Sequence, residues 1–82
     1  MGKSILVIDD DRLIRSFIST VLKEEGHRIE EAGSGNSGLN KLRAADFDLV
    51  ITDLRMPDLT GLDVLRKGRN IRPDTRWIII TA

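Results

Sequence analysis

The chain contains no cysteine, carries no net charge and has only three large aromatic side chains among its 82 residues. Without cysteine, disulfides and thiolate metal sites are excluded. Basic and acidic residues both number 13, so no global field of one sign favours nucleic acid as a partner. The apolar run before Asp9 is only four residues long, which is too short for a signal peptide or a membrane span. We therefore expect one small cytoplasmic domain, residues 1–82, without nucleic-acid or membrane partners.

Strand and helix patterns alternate along the chain. Short apolar or alternating runs, typical of strands, cover residues 5–8, 27–32, 49–52 and 77–81. Helical patterns cover residues 11–25, 35–45 and 61–70. This βαβαβαβ order with short links predicts an α/β fold, a parallel sheet with right-handed crossovers and helices on both faces.

The apolar pattern also predicts which residues face inward. The run 27–32 alternates with polar residues and predicts an edge strand, whereas the run 77–80 is typical of a central strand buried on both faces. Gly26 is placed to end the first helix in a left-handed conformation. Apolar positions that predict inward helix faces are Leu13, Ile14, Phe17, Ile18, Val21 and Leu22 in the first helix, Leu39 and Leu42 in the second, and Leu62 and Leu65 in the third.

Polar residues follow three of the strands where each strand ends. They are Asp9, Asp10 and Asp11 after the first strand, Asp53 after the third, and Thr81 with Ala82 after the fourth. In open α/β sheets the ligand site lies at this carboxyl edge, so these residues should converge. Two carboxylates about 5 Å apart repel by roughly 3 kcal/mol at an effective dielectric near 20, so a shared proton or a divalent cation is needed. An all-oxygen cluster suits Mg²⁺.

Two of these residues have further interpretations. Asp11 is also placed to cap the first helix, which is the simpler interpretation of that carboxylate. The Thr81 hydroxyl can donate a hydrogen bond to a phosphoryl oxygen, and the small Ala82 leaves room for an incoming group.

Three segments together resemble the response-regulator receiver domain of two-component signalling. They are Ile5–Asp11, the stretch Asp53-Leu54-Arg55-Met56-Pro57 with Gly61 after it, and Ile78-Ile79-Ile80-Thr81-Ala82. The resemblance is collinear over all 82 residues. It implies a flavodoxin-like three-layer parallel sheet with strand order 2-1-3-4, incomplete because the family's fifth strand and last two helices are absent from this sequence.

The resemblance also implies a chemistry. Asp53 would be the phosphoacceptor for a sensor histidine kinase or a phosphotransfer protein, and the domain would not be an enzyme although it takes part in its own phosphorylation and dephosphorylation. Mg²⁺ would be held by Asp9, Asp10, Asp53 and the backbone carbonyl of Arg55.

Other family positions carry over to the loops. Thr81 and Ala82 would contact the phosphoryl group, with Thr81 moving as the switch. Met56, Pro57 and Gly61 would shape the loop after Asp53.

This sequence departs from the family pattern in several places. It contains no counterpart of the family's catalytic lysine or of its aromatic switch residue, so we expect phosphorylation to be impaired. The fourth strand and the sheet face beside the first helix should be uncovered and should favour a homo-oligomer. Gly68 stands where the family has an apolar helix residue, and Trp77 opens a strand where smaller residues are usual; an interface role is one interpretation of Trp77.

Three alternatives remain open. Gly33-Ser34-Gly35-Asn36-Ser37-Gly38 matches the glycine pattern of nucleotide-binding modules, although the strand before it is polar. In a fragment resembling a haloacid-dehalogenase phosphatase, Asp9 would be the nucleophile and Asp11 the acid, which leaves the Asp-x-x-Met-Pro segment unexplained. A receiver fragment that is not phosphorylated and self-associates is the third.

Smaller features indicate surface roles. His27 has no neighbouring acid or second histidine. The basic stretch between Arg66 and Arg76 has only Trp77 as an aromatic neighbour, so it is typical of a solvated helix and turn rather than a nucleic-acid site.

Overall fold

The sheet is built around β1, an apolar strand that pairs on both sides. In this computed structural model, which describes residues 2–81, the strands are β1 (Ser4–Ile8), β2 (Arg28–Ala32), β3 (Leu49–Asp53) and β4 (Arg76–Ile80). The helices between them are α1 (Arg12–Glu24), α2 (Gly35–Ala44) and α3 (Gly61–Ile71). The predicted alternation of strands and helices is confirmed, with boundaries shifted by at most one residue.

All neighbouring strands are parallel, in the order β2-β1-β3-β4. Ile5 of β1 lies opposite Ile29 of β2 and Leu49 of β3, and Asp53 at the end of β3 lies opposite Ile80 of β4. The predicted flavodoxin-like sheet with order 2-1-3-4 is therefore confirmed, as is the edge position of β2.

The apolar run of β4 is typical of a central strand, yet in residues 2–81 β4 lies at one side of the sheet, in agreement with the predicted order 2-1-3-4 and with the expectation that the fourth strand is uncovered. β4 pairs only with β3 there, and Ile78 is 50% exposed. An apolar run reports affinity for a buried environment, but burial also needs neighbours, and within the described residues β4 has a strand on one side only.

Helices cover the two faces unequally. On one face, Ile18 and Leu22 of α1 pack against Ile5, Val7 and Ile51 of the sheet. The other face carries both α2 and α3, and its larger core contains Leu6, Ile8, Ala32, Leu39, Leu42, Phe47, Val50 and Val64. Helices thus lie on both faces, and the face with α1 alone is the less covered one.

Part of the predicted inward helix surface is exposed. Leu13 and Phe17 of α1 are 80% and 70% exposed, and Leu62 of α3 is 50% exposed. Ile14 and Val21 are also exposed, while Leu39 and Leu42 of α2 are buried as predicted. Helical periodicity identifies the apolar stripe of α1 correctly, but only part of that stripe packs against the sheet.

Trp77 and Gly68 are explained together by packing between β4 and α3. A Cβ atom added to Gly68 would overlap Cζ2 of the Trp77 ring and would lie 2.5 Å from its Cη2 and 3.1 Å from Cδ2 of Leu42. The indole thus occupies the volume that a side chain at position 68 would need. Trp77 also packs against the larger core, so its size has an internal cause in this fold.

The helix ends follow their local sequence. Asp11 Oδ1 accepts hydrogen bonds from the backbone N–H groups of Leu13 and Ile14, so Asp11 is the N-cap of α1 as predicted. Gly26, after that helix, has φ of 92°, the left-handed conformation that glycine adopts without strain. None of the helices in residues 2–81 combines the length and the apolar character that a bilayer crossing requires.

Candidate functional site

Three carboxylates meet at the carboxyl edge of the sheet. Asp9 directly follows β1 and Asp53 ends the adjacent β3, where Ile8 and Thr52 are register partners. One carboxylate oxygen from each of Asp9, Asp10 and Asp53 lies within 4.8 Å of the others. The predicted convergence of these residues is therefore observed, and it follows from the parallel pairing of β1 with β3.

Asp9 is the buried member of this acidic cluster. It is 4% exposed, and its Oδ1 accepts a hydrogen bond of 2.8 Å from the backbone N–H of Asp11. Burial raises the pKa of Asp9 above its ordinary value, the hydrogen bond from Asp11 opposes that rise, and the nearby charges of Asp53, Asp10 and Asp11 add to it. A cation beside a carboxylate in this position would stabilise its charged form.

Asp11 is directed away from the cluster. Its carboxylate accepts from Leu13 N at 2.9 Å and from Ile14 N at 3.2 Å, at the start of α1. An acid in this capping position holds the helix terminus, so the geometry does not favour the phosphatase alternative in which Asp11 is the catalytic acid.

Thr81 lies at the same edge as Asp53. It follows Ile80, which is the register partner of Asp53 and whose carbonyl accepts a hydrogen bond of 3.0 Å from Leu54 N. The side chain of Thr81 is exposed. Ala82, predicted beside it, lies outside the described residues.

The loop after β3, residues 54–60, is shaped by a close backbone approach. Gly61 N donates to the carbonyl of Leu54 at 2.7 Å. A Cβ at Gly61 would overlap the carbonyl oxygen of Asp53 and lie 3.1 Å from Cα of Leu54, so only glycine fits there without a shift. Met56 is half-buried against the larger core, and Pro57 and Arg55 are exposed. Position 61 thus sets where the loop turns back toward α3.

Asp58, in this same loop, has a role that sequence reasoning missed. Its two carboxylate oxygens accept hydrogen bonds from Gly35 N at 3.1 Å and Asn36 N at 2.8 Å, at the start of α2. The bond from Asn36 is the main cause that lowers the pKa of Asp58. Because partners more than 20 residues apart leave no local pattern, no signal in the sequence could have identified this contact.

The same contact bears on the nucleotide-binding alternative. That alternative needs free backbone N–H groups at the start of α2 to receive a phosphate. In the structure, Gly35 N and Asn36 N donate to Asp58, and Ser37 N donates to Ser34 Oγ at 3.1 Å. The glycine pattern is therefore accounted for by packing and by hydrogen bonds within the protein.

Arg15 is a second residue that the sequence did not reveal. Its Nη1 donates to the backbone carbonyl of Asp9 at 2.7 Å, and its Nε donates to Glu31 Oε1 at 3.1 Å. The guanidinium thereby joins α1 to the ends of β1 and β2. The position of Arg15 at the border of the apolar stripe of α1 was the available signal.

The structure also contains a groove away from this edge. A groove of about 710 Å³ lies at the opposite, amino-terminal edge of the sheet, and its charged lining mixes three cations, Lys3, Arg72 and Arg76, with three acids, Asp46, Asp48 and Asp74. Several of these groups are already bonded within the fold, such as Asp48 with Ser4 N and Arg72 with the carbonyl of Leu42. We therefore place the candidate site at the acidic cluster, where three carboxylates of like charge lie close together.

Comparisons with known proteins agree with this fold and edge. A family model described as the response regulator receiver domain matches residues 5–82. The receiver protein CpdR of Brucella abortus is 32% identical over 80 residues, which cover 98% of this chain and 67% of that protein. The transcriptional regulator NtrC of Azospirillum brasilense is 39% identical over 79 residues, but the match covers only 16% of its length.

Solved structures that are similar to this chain are also response regulators or their receiver domains. The response regulator TrrA of Thermotoga maritima, crystallised in complex with Mg²⁺ and BeF, superposes with a TM-score of 0.93 at 39% identity, covering all of this chain and 70% of that one. A CheY-like receiver domain of Methanospirillum hungatei superposes with a TM-score of 0.95 at 33% identity, covering 99% of this chain and 65% of that one. The sheet order, the matched residues and these relatives agree, and the chain belongs to the response regulator receiver domain family.

Proposed function

We propose that Asp53 accepts a phosphoryl group from a sensor histidine kinase or a phosphotransfer protein. The observation that carries this proposal is the convergence of Asp9, Asp10 and Asp53 within 4.8 Å at the carboxyl edge of the sheet. Asp53 is half-buried at the end of β3, so its carboxylate is held by the sheet yet open to a reactant. A Burkholderia pseudomallei response regulator, 25% identical, was crystallised with a phosphorylated aspartate, which supports this chemistry as a proposal for the chain.

The donor set fits a hard divalent cation. Three carboxylates of like charge within 4.8 Å of one another supply only oxygen ligands, which a hard divalent cation prefers. Mg²⁺ would be held by Asp9, Asp10, Asp53 and the backbone carbonyl of Arg55. When bound, the ion screens the repulsion between the carboxylates and an incoming phosphoryl group.

Asp53 and Thr81 would have different roles in phosphoryl transfer. An oxygen of Asp53 attacks phosphorus, the bond from phosphorus to the histidine nitrogen of the donor breaks, and that nitrogen keeps the electron pair. The Thr81 hydroxyl donates to a phosphoryl oxygen. Within residues 2–81 the loops at this edge contain no lysine to pair with that oxygen, so we infer that transfer onto the 82-residue chain, studied alone, is slow.

The test is a phosphorylation assay with a matched control. We expect acetyl phosphate with Mg²⁺ to add one phosphoryl group to the chain, detected by intact mass, and we expect none with Asp53→Asn or with a chelator. Asp46→Asn is the control, because Asp46 is an exposed acid between α2 and β3. Binding of beryllofluoride in the presence of Mg²⁺ gives an equilibrium readout that does not depend on a slow rate. Labelling of Asp9, or undiminished labelling of Asp53→Asn, would contradict the proposal.

A second candidate function is self-association. Phe17 of α1 and Ile78 of β4 are 70% and 50% exposed, and β4 is paired on one side only within residues 2–81. We infer that the 82-residue chain, studied alone, pairs with a second copy through β4 and the sheet face beside α1. Sedimentation equilibrium at micromolar concentration tests this, and a concentration-independent monomer would contradict it.

A further inference from the structure

We infer that Asp58 is a positioning residue for the metal end of the site, acting by fastening loop 54–60 to the amino terminus of α2. The inference rests on the proposed function, because the loop carries Arg55, whose backbone carbonyl is the proposed metal ligand outside the three carboxylates. No contact of Asp58 with the metal is needed, since the residue would act through the position of the loop.

The loop is held at its two sides by different partners. On the sheet side, Leu54 N donates to the carbonyl of Ile80 at 3.0 Å, and Gly61 N donates to the carbonyl of Leu54 at 2.7 Å. On the side of α2, the Asp58 carboxylate receives two backbone N–H groups at 3.1 and 2.8 Å. Arg55 lies between these attachments, so the direction of its carbonyl depends on both.

The start of α2 is a firm anchor for the loop. Gly35 is buried, and a Cβ there would lie 2.9 Å from Cβ of Leu59 and 2.9 Å from Cγ2 of Val64. Leu59 of the loop is thus packed directly on the backbone of α2. A carboxylate that accepts from the first N–H groups of a helix forms charge-assisted hydrogen bonds, which are stronger than neutral ones.

Capping of α2 and fastening of the loop are separable. Ser34 Oγ accepts from Ser37 N at 3.1 Å and caps the helix from within its own segment. Asp58 takes two other donors, from 23 and 22 residues away in sequence. Removing Ser34 Oγ therefore weakens the helix start without releasing the loop, whereas removing the Asp58 carboxylate does both. This pair supplies a matched comparison.

The experiment measures Mg²⁺ affinity by calorimetry for the 82-residue chain and three variants. We expect Asp58→Ala to weaken Mg²⁺ binding by about tenfold, the lower end of what outer partners of a metal site contribute. Ser34→Ala should lower the unfolding temperature and leave the Mg²⁺ dissociation constant unchanged. Asp58→Asn retains one acceptor oxygen and should fall between the wild type and Asp58→Ala, which keeps the test valid if the alanine variant folds poorly.

A second readout follows from reciprocity, since coupling between two sites acts equally in both directions. Mg²⁺ should shift the amide resonances of Gly35 and Asn36 and slow their hydrogen exchange in the wild type, and should do neither in Asp58→Ala. Equal Mg²⁺ affinity in the wild type and Asp58→Ala, or an equal loss in Ser34→Ala, would overturn the inference alone. A wild-type chain that binds no Mg²⁺ would overturn the proposed metal site itself, and this inference with it.

Discussion

At the scale of single residues, Gly68 and Trp77 form a matched pair of a small and a large side chain. The Trp77 ring occupies the space next to the backbone of Gly68, and its indole Nε1 is buried without a hydrogen-bond partner. A buried N–H without a partner costs about 1–3 kcal/mol, so the ring must be retained for its packing rather than for its polar atom. Neither residue is understandable without the other.

We predict that Gly68→Ala destabilises the chain by about 1–3 kcal/mol in urea denaturation, because the added Cβ overlaps the ring and the core must shift. The intrinsic helix preference of alanine would by itself stabilise α3 by about 1 kcal/mol, so packing and propensity oppose each other here. Trp77→Phe makes room and removes the unpaired N–H, so Gly68→Ala should cost less in that background.

Gly33→Ala is the control for this prediction. A Cβ at Gly33 would have no contact closer than 3.4 Å, to Nη1 of Arg15, so its effect should be small. If Gly68→Ala were as mild as Gly33→Ala, or cost the same in the Trp77→Phe background as in the wild type, the proposed packing conflict would be disproved.

The sequence alone predicts that residues at the ends of neighbouring strands come together. It does not predict contacts between residues far apart in the chain, such as those of Asp58 and Arg15. The convergence of Asp9 with Asp53 follows from parallel pairing alone, because carboxyl ends of neighbouring strands coincide. Asp58 and Arg15 act on backbone or side-chain groups 16 or more residues away, apart from the bond of Arg15 to Asp9. Such contacts depend on loop geometry, which hydrophobic periodicity does not encode.

At the scale of elements, each helix begins with its own polar cap. Asp11 caps α1, Ser34 caps α2, and Thr60 caps α3. At α3 the cap is reciprocal: Asp63 N donates to Thr60 Oγ1 at 3.1 Å, while Thr60 N donates to Asp63 Oδ2 at 3.3 Å. These caps fix where the helices start, and hence how the loops at the site are held.

The capping box of α3 gives a prediction for acid stability. The side-chain bond with Thr60 is the main cause that lowers the pKa of Asp63 below its ordinary value of 3.8. A carboxyl with a lowered pKa in the folded state contributes stability that is present above 3.8 and is lost as pH falls through the lowered value. Asp63→Asn should therefore lower the free energy of unfolding at neutral pH. It should make no difference at a pH below the lowered pKa, where Asp63 is protonated.

Denaturant midpoints of the two proteins from neutral pH to below 3.8 check this. In a Thr60→Ala background, which removes the main cause of the lowered pKa, the effect of Asp63→Asn should shrink. If the difference in denaturant midpoint between the wild type and Asp63→Asn stayed constant with pH, the cap would not depend on the charge of Asp63.

Hydrophobic periodicity predicts the order and type of the helices and strands, but it does not predict which of their apolar side chains remain exposed. Periodicity identifies α1 and its apolar stripe, yet Leu13 and Phe17 remain largely exposed. The pattern states which residues favour burial, whereas the cover for them must come from another element or another chain. The apolar run of β4 likewise favours burial, although β4 has a strand on one side only in residues 2–81.

At the scale of the whole molecule, the uncovered apolar surface lies on one side. Arg15 of α1 bonds to Glu31 of β2 and Ser19 is buried, so this flank of the helix faces β2 and the core. Ile14, Phe17 and Val21 lie on the opposite flank of the helix and are exposed. The chain spans 65–70% of the length of the Methanospirillum and Thermotoga structures that it matches, and under two thirds of the length of several curated relatives.

We predict that Phe17→Glu weakens self-association of the 82-residue chain without destabilising its fold. Covering an exposed phenylalanine is worth roughly 1.5–3 kcal/mol, so replacing it with a charge should raise the dissociation constant at least about tenfold. Thr20→Glu, at an exposed polar position of the same helix, is the control and should have little effect. Sedimentation equilibrium measures both, and equal association of the two variants would place the contact away from this flank.

The central position of β1 sets the order in which the chain can fold during synthesis. β1 is made first, but its partner on one side is β3, and about 40 residues separate Ile8 from Leu49. At about 5–20 residues per second, the ribosome takes roughly 2–8 s to supply that partner. Until then β1 can pair only with β2, and its other edge stays open, so β3 and then β4 join the sheet late.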